Sequence, residues 1–267
     1  MNILVCFSLV PAFEMMFAED WVVDENRHID VGFLKSGLNC FDESALETAL
    51  KYRDAAAQRK RATCLSAVTI AGSEIDPVAR RLLALRFDRV VRIDPPTDMR
   101  FQPFTAATLI SRYVGRHAAQ DVVMMGWQSG IGQNAQTPLL TAEMLGWPCI
   151  TQVIGVSPAD RQHLTVASRT DDGHLEQTIQ APCVLSVGNA PHSCLRVPTL
   201  KDRMQHGKRP IETMAFQDVD TAAEPFSLCA LHVIRRTRNG VCIEGDDPEE
   251  KAKALYHNYL KQRLAQL

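Results

Sequence analysis

Val122-Val-Met-Met-Gly126-Trp-Gln128-Ser-Gly130-Ile-Gly132-Gln133-Asn134-Ala-Gln136-Thr137-Pro138 decides the fold class of this chain. Four apolar residues form a short buried strand, glycines break it, and Gln136-Thr137-Pro138 opens a helical pattern. Strand, glycine-rich loop, helix is the unit from which parallel α/β sheets are built. Glycines let a backbone turn sharply and approach a ligand closely. The unpaired amides at a helix start, aided by the helix dipole, suit an anion such as phosphate. A nucleotide phosphate is the first candidate ligand, set against the plain alternative that the glycines only turn the chain. Two named fingerprints are absent. There is no Gly-x-x-x-x-Gly-Lys-Ser/Thr loop, and Gly130-x-Gly132 lacks the third glycine of the dinucleotide pattern.

Outward from this stretch the same alternation repeats. Residues 3–7 form a buried strand ended by Ser8-Leu9-Val-Pro11, and acidic Asp42 and Glu43 open a helix that runs to about residue 59. Strand 64–70, helix 73–86, strand 89–93, helix 104–117, strand 121–125 and helix 138–145 follow, with Ser73 as cap and Pro77 in a first turn. Residues 149–155, then 162–180 folded back at Asp171-Asp-Gly173, and strand 183–187 complete the sheet at one edge. Continuously apolar strands between helices imply a doubly wound, mostly parallel sheet covered by helices on both faces. Ligands of such sheets lie beyond the carboxyl ends of the strands, where loops 8–11, 39–42, 71–73 and 126–134 converge.

The chain divides at residue 188. Residues 1–188 carry the nucleotide-binding domain, and 189–267 form an extended arm and a terminal helix. Pro191, Pro198, Pro210 and Pro225 interrupt the arm, while Ala254, Leu255, Tyr259, Leu260 and Leu264 recur at helical spacing after Asp247-Pro248. That helix is expected to dock on this chain or on a partner.

Composition narrows the function classes. A chain of 267 residues with 46% hydrophobic content can bury a sizeable core, and a formal charge of −2 creates no field that gathers nucleic acid. The eight cysteines are scattered, with no Cys-x-x-Cys, which suits a reducing compartment. No basic leader precedes Pro11, and no apolar run approaches the ~20 residues of a membrane span. A cytoplasmic protein is expected. Cys183, His192 and Cys194 match no structural zinc spacing. Ser129 stands one place late for a Gly-x-Ser-x-Gly elbow, and no Ser-His-Asp or Cys-His arrangement supports bond cleavage.

Four blocks carry a family resemblance. They are Ile3-Leu-Val-Cys-Phe-Ser8-Leu9-Val-Pro11, Asn39-Cys-Phe-Asp-Glu43-Ser-Ala45-Leu-Glu47-Thr-Ala49, Gly126-Trp-Gln128 with Gln136-Thr137 and Leu145-Gly-Trp-Pro148, and Val197-Pro-Thr-Leu200-Lys-Asp-Arg-Met204 before Lys208-Arg-Pro-Ile211. Together they resemble the beta (small) subunit of electron-transfer flavoproteins, which implies that the doubly wound, mostly parallel sheet is of the adenine-nucleotide-binding, Rossmann-like type. The resemblance implies a heterodimer with an alpha subunit that carries the redox FAD, and AMP or a second FAD in this chain. It also implies electrons drawn from an acyl-CoA-type or other flavin dehydrogenase, so that the chain is an electron carrier and not an enzyme. Ser8, Leu9, Asn39, Ala71, Gly126, Gln128, Gly130, Gly132, Gln133, Asn134, Gln136 and Thr137 would line the nucleotide site, and Leu200 would be the apolar anchor for the dehydrogenase.

Departures from the family pattern stand at Ser8, where lysine is usual, at Cys40, where proline is usual, and at Ile131-Gly132-Gln133, where an Asp-x-Asp is common. Loss of the lysine removes a cation near the phosphates, which implies weaker or different nucleotide binding. From the residues alone, Leu200 could simply pack a loop, and Asn39 and Gln136 could simply cap helices. Lys201, Arg203, Lys208 and Arg209 read as a solvated charge run. A stand-alone adenine-nucleotide sensor on the same sheet needs the loops and not the arm. An adenylyl-transferring enzyme would need a Ser-Gly-Gly-x-Asp-Ser loop that the chain lacks.

Overall fold

A computed structural model of the chain describes residues 1–95, 99–116, 119–130, 135–191, 193–216, 227–234 and 240–265. Met1–Leu231 forms one compact unit and His232–Leu267 a second.

The first unit is built on strands β1 (Asn2–Cys6), β4 (Cys64–Ile70), β5 (Arg89–Asp94), β6 (Val122–Gly126), β7 (Cys149–Pro158), β8 (His163–Thr170), β9 (Gly173–Gln180), β10 (Cys183–Val187) and β11 (Glu212–Ala215). They join in the order β11-β5-β4-β1-β6-β10-β7-β8-β9. All neighbours from β11 to β7 pair in parallel, and β7, β8 and β9 pair antiparallel. A small antiparallel pair, β2 (Leu9–Pro11) with β3 (Ser36–Leu38), stands apart from this sheet.

The two faces of the sheet follow from the strand period of two. Ile3 and Val5 of β1 join a cluster with Leu46 and Leu50 of α1 (Cys40–Gln58) and Leu82 of α2 (Asp76–Ala84). Leu4 and Cys6 face the opposite way, with Leu109 and Tyr113 of α3 (Pro103–Arg116) and Ala142 of α4 (Gln136–Leu145). Burying a strand on both faces selects for the unbroken apolar runs seen in the sequence. From β1 the chain winds through β4 to β5, then returns to place β6 on the other side of β1. The winding therefore reverses between β1 and β6, and the carboxyl ends of those strands form the crevice in which such sheets take ligands.

Several details differ from the sequence expectations. Strand β10 lies inside the sheet, and the edge is formed by the β8–β9 hairpin, turning at Asp171-Asp172. Ser73 does not cap α2: it begins a short 3-10 turn, Ser73–Ile75, and α2 follows with Ile75 at its N-cap and Pro77 in its first turn. The stretch 193–216 is more regular than its prolines suggest. It supplies α5 (Leu200–His206) and β11, which pairs with β5 at the sheet edge. Four residues are too short for a periodicity to declare itself, and β11 is recognised only through its neighbour.

The second unit carries α6 (Pro248–Leu255), a π turn (Tyr256–Leu260) and α7 (Lys261–Leu264). The Asp247 side chain caps α6 by accepting from Glu249 N at 3.0 Å. Leu255, Tyr259, Leu260 and Leu264 are exposed. Among the described residues no helix is long and apolar enough to cross a membrane.

Candidate functional site

At the reversal point an open cleft lies between the ends of β1 and β6 and the first turns of α1 and α4. Among the expected residues Ser8, Asn39, Gly126, Gln128, Gln136 and Thr137 line it. Leu9 and Ala71 instead pack against the core under α1 and α2. Gly130 lines a neighbouring hollow with Phe13 and Phe41. Gly132, Gln133 and Asn134 lie outside the described residues, and so does His192.

The cleft floor is stitched together by polar bonds between segments far apart in sequence. Asn39 is the N-cap residue of α1, yet its side chain makes no capping bond. Its Nδ2 donates to Gln128 O at 2.9 Å, and its backbone N donates to Ser8 O at 3.0 Å. Gln136 is the first residue of α4, with Ala135 at the N-cap in a left-handed conformation. The capping alternative for both side chains is thereby set aside in favour of positions on the cleft wall.

Asp42 holds the centre, and its role was missed in the sequence, where it reads as an ordinary helix-opening acid. Its Oδ2 accepts from Ser8 N at 2.9 Å and from Ser8 Oγ at 2.7 Å, and its Oδ1 accepts from Gly126 N at 3.0 Å. One carboxylate thus ties the loop after β1 to the end of β6. Burial pushes the Asp42 carboxyl up to about 6, against the hydrogen bonds from Ser8, Asn39 and Gly126 that favour its charged form.

Gly126 also has a specific cause. A Cβ there would stand 2.3 Å from Asp42 Oδ1 and 2.7 Å from Asp42 N, so glycine is needed for α1 to approach β6. Of the two readings of this glycine, close backbone packing is the one that its surroundings explain.

The remaining wall is apolar: Ile70, Met99, Met125 and, from α3, Ala106 and Ile110. Helix α3 is predicted as a covering helix and also serves as a wall of the site. Among the described lining residues Asp42 is the one charged side chain, with no lysine or arginine beside it. The arrangement offers an apolar slot, amide and hydroxyl groups, and the starts of two helices.

On another part of the surface, Leu200 is 75% exposed, with Val197 at 72% and Met204 at 67%. Leu200 and Met204 stand four apart on α5 and share one face. This apolar face is held out by a rigid base. Arg196 pairs with Glu47 at 2.7 Å and Asp54 at 2.6 Å, and the Leu195 amide donates to Glu43 at 3.1 Å. Arg209 is not part of a solvated run: its guanidinium donates to Leu83 O at 3.0 Å and to the carbonyls of Phe87 and Asp88, closing the end of α2.

Residues 32–219 match the family model described as "Electron transfer flavoprotein domain". The chain is 32% identical to an Escherichia coli K12 protein named "Putative electron transfer flavoprotein subunit YgcR", over 99% of both chains. It is 25% identical to "Electron transfer flavoprotein subunit beta" of Methylophilus methylotrophus, over 96% of this chain and 97% of that one. The protein of the same name from Bacillus subtilis is 25% identical, over 89% and 91%. The matched region runs from β3 through β11 and so includes the second strand of the crevice, the apolar wall and the exposed face of α5. With a family model matched over residues 32–219 and a 32% identical relative aligned over 99% of both chains, the chain belongs to the electron-transfer flavoprotein beta-subunit family.

Proposed function

We propose that this chain is the beta partner of a heterodimeric electron-transfer flavoprotein, an electron carrier subunit that binds an adenine nucleotide in its cleft while an alpha subunit holds most of the FAD. The observation that carries this reading is the convergence of Ser8, Asn39, Gly126, Gln128, Gln136 and Thr137 at the switch point of a sheet whose family carries flavin-borne electrons.

The donor set fits a mononucleotide. Ile70, Met99, Ala106 and Ile110 offer an apolar surface for an adenine ring, and Asn39, Gln128, Gln136 and Thr137 offer polar groups to a ribose. The start of α4 favours one phosphate. With Asp42 present and no lining cation among the described residues, each further phosphate is unfavourable, so AMP suits this cleft better than a second FAD. Flavin bound in the assembled carrier supplies the redox chemistry. This chain's residues bind the nucleotide, brace the two loops around it and present the α5 face to an acyl-CoA-type or other flavin dehydrogenase. The exposed apolar residues of the second unit serve the alpha partner.

The test is to co-express the chain with a candidate alpha subunit, purify the complex, and quantify released FAD and AMP. One FAD and one AMP per heterodimer is the expected result. Two FAD would assign the pair to the bifurcating type, and FAD without AMP would remove the nucleotide from the cleft. A chain that stays monomeric and flavin-free would overturn the reading in favour of a stand-alone nucleotide-binding module.

A further inference from the structure

The end of the sheet away from the cleft carries a second concave site. Helix α1 spans 19 residues, so its ends lie about 28 Å apart. Its start faces the nucleotide cleft, and its finish borders an open hollow edged by Met1, Arg59, Lys60, Arg61 and Arg161. Such a group of cations is a local excess on a chain whose formal charge is −2.

The surroundings do not consume these charges. The last carbonyls of α1 would be natural acceptors for cationic side chains. They are already taken by backbone amides: Arg59 N and Arg61 N donate to Ala56 O at 3.0 and 2.9 Å, and Lys60 N to Ala57 O at 2.9 Å. The Met1 ammonium is fixed on Ala62 O at 3.1 Å, and Arg59 donates to Pro158 O. Lys60, Arg61 and Arg161 enter no ion pair among the described residues. Arg61 Nη1 is buried with no hydrogen-bond partner, which is rare for a donor of this kind. The one carboxylate at the rim, Asp160, is occupied by its own turn, accepting from Gln162 N and His163 N at 2.8 Å and contacting His163 Nδ1.

We propose that this hollow binds a compact phosphate or pyrophosphate group, held by Lys60, Arg61 and Arg161. Planar guanidinium forks match the spacing of phosphate oxygens, and an ammonium adds an adjustable point charge. Tyr52, at the floor, is 2% exposed and offers no face on which a base could stack, so the site reads the anionic group alone. This site is independent of the nucleotide cleft at the other end of α1.

The test is calorimetric titration of the full chain with pyrophosphate, inorganic phosphate and ADP near neutral pH, with ionic strength held constant by sodium chloride. Saturable binding of pyrophosphate is expected, weakened at least tenfold in Lys60→Ala/Arg161→Glu. Both residues are exposed, so that variant keeps the core intact. Arg61→Gln should weaken binding as well, and far-ultraviolet circular dichroism checks its fold. ADP matching pyrophosphate in the variant-sensitive component would identify the phosphate end of a metabolite, whereas ADP much weaker than pyrophosphate would identify the free anion. Absence of saturable binding at millimolar anion, or equal affinity in parent and Lys60→Ala/Arg161→Glu, would overturn the proposal.

Discussion

Asp42 and Gly126 show how a single pair of residues can define a site. The Asp42 carboxyl is at about 6 in the folded chain against an ordinary 3.8, so the folded state binds the proton more tightly than the unfolded state. Its contribution to stability is therefore fully present below the ordinary value and is lost as pH rises to about 6. Across that window the change is about 3 kcal/mol. In Asp42→Asn this segment vanishes, and urea unfolding from pH 3 to 7 should show the variant gaining on the parent by that amount. Parallel pH curves would refute the assignment. The same substitution removes the lone charge from the cleft wall, and AMP affinity at neutral pH should rise several-fold. Gly126→Ala forces a methyl onto Asp42 and should cost about 1–3 kcal/mol, read as a lower urea midpoint with unchanged slope.

Helix α5 shows why an element's context matters more than its length. Seven residues do not make an independent helix. Here the Thr199 side chain accepts from Asp202 N at 3.1 Å, Asp202 pairs with Arg86 at 2.9 Å, and Arg196 is clamped on Glu47, whose side chain is 6% exposed. Cutting that clamp leaves a buried carboxylate without its counter-charge, held by the Arg196 backbone amide at 3.1 Å. Arg196→Met should therefore lower stability by about 1–3 kcal/mol, with Glu47→Gln in the same chain restoring part of it. Leu200→Ser with Met204→Ser should do the reverse. Both side chains face solvent, so the melting temperature stays put, while electron transfer from the cognate dehydrogenase slows more than tenfold. A drop in melting temperature with unaffected transfer would make the α5 face a packing surface. Leu200 itself was singled out in the sequence, but its fellowship with Val197 and Met204 emerges only when the arm folds onto α1 and α2.

At the scale of the whole molecule, the arm is two things. Residues 189–216 contribute α5 and β11 to the first unit, whereas His232–Leu267 forms a unit of its own. A chain ended at Leu231 should keep the unfolding midpoint of the sheet within a few degrees and still bind nucleotide, but lose the alpha partner in co-purification. A chain ended at residue 188 removes an edge strand and the Arg196 clamp, and should unfold at markedly lower denaturant. If the shorter chain equals the longer in stability, the arm contributes nothing to the sheet.

The sequence by itself determined the mostly parallel sheet and the alternation of its main strands and helices up to β10, because strands buried between two helical layers must be apolar on both faces. Strands Cys64–Ile70 and Cys183–Val187 are legible to the residue for that reason. Strand β11, the Asp42 brace and the basic hollow were decided only by the tertiary structure. Each depends on groups separated by tens to more than a hundred residues, such as Glu212 beside Val91 or Asp42 beside Gly126. Local periodicity registers what a segment buries, but not which distant segment it meets. Hydrogen bonds and charge clusters are properties of that meeting.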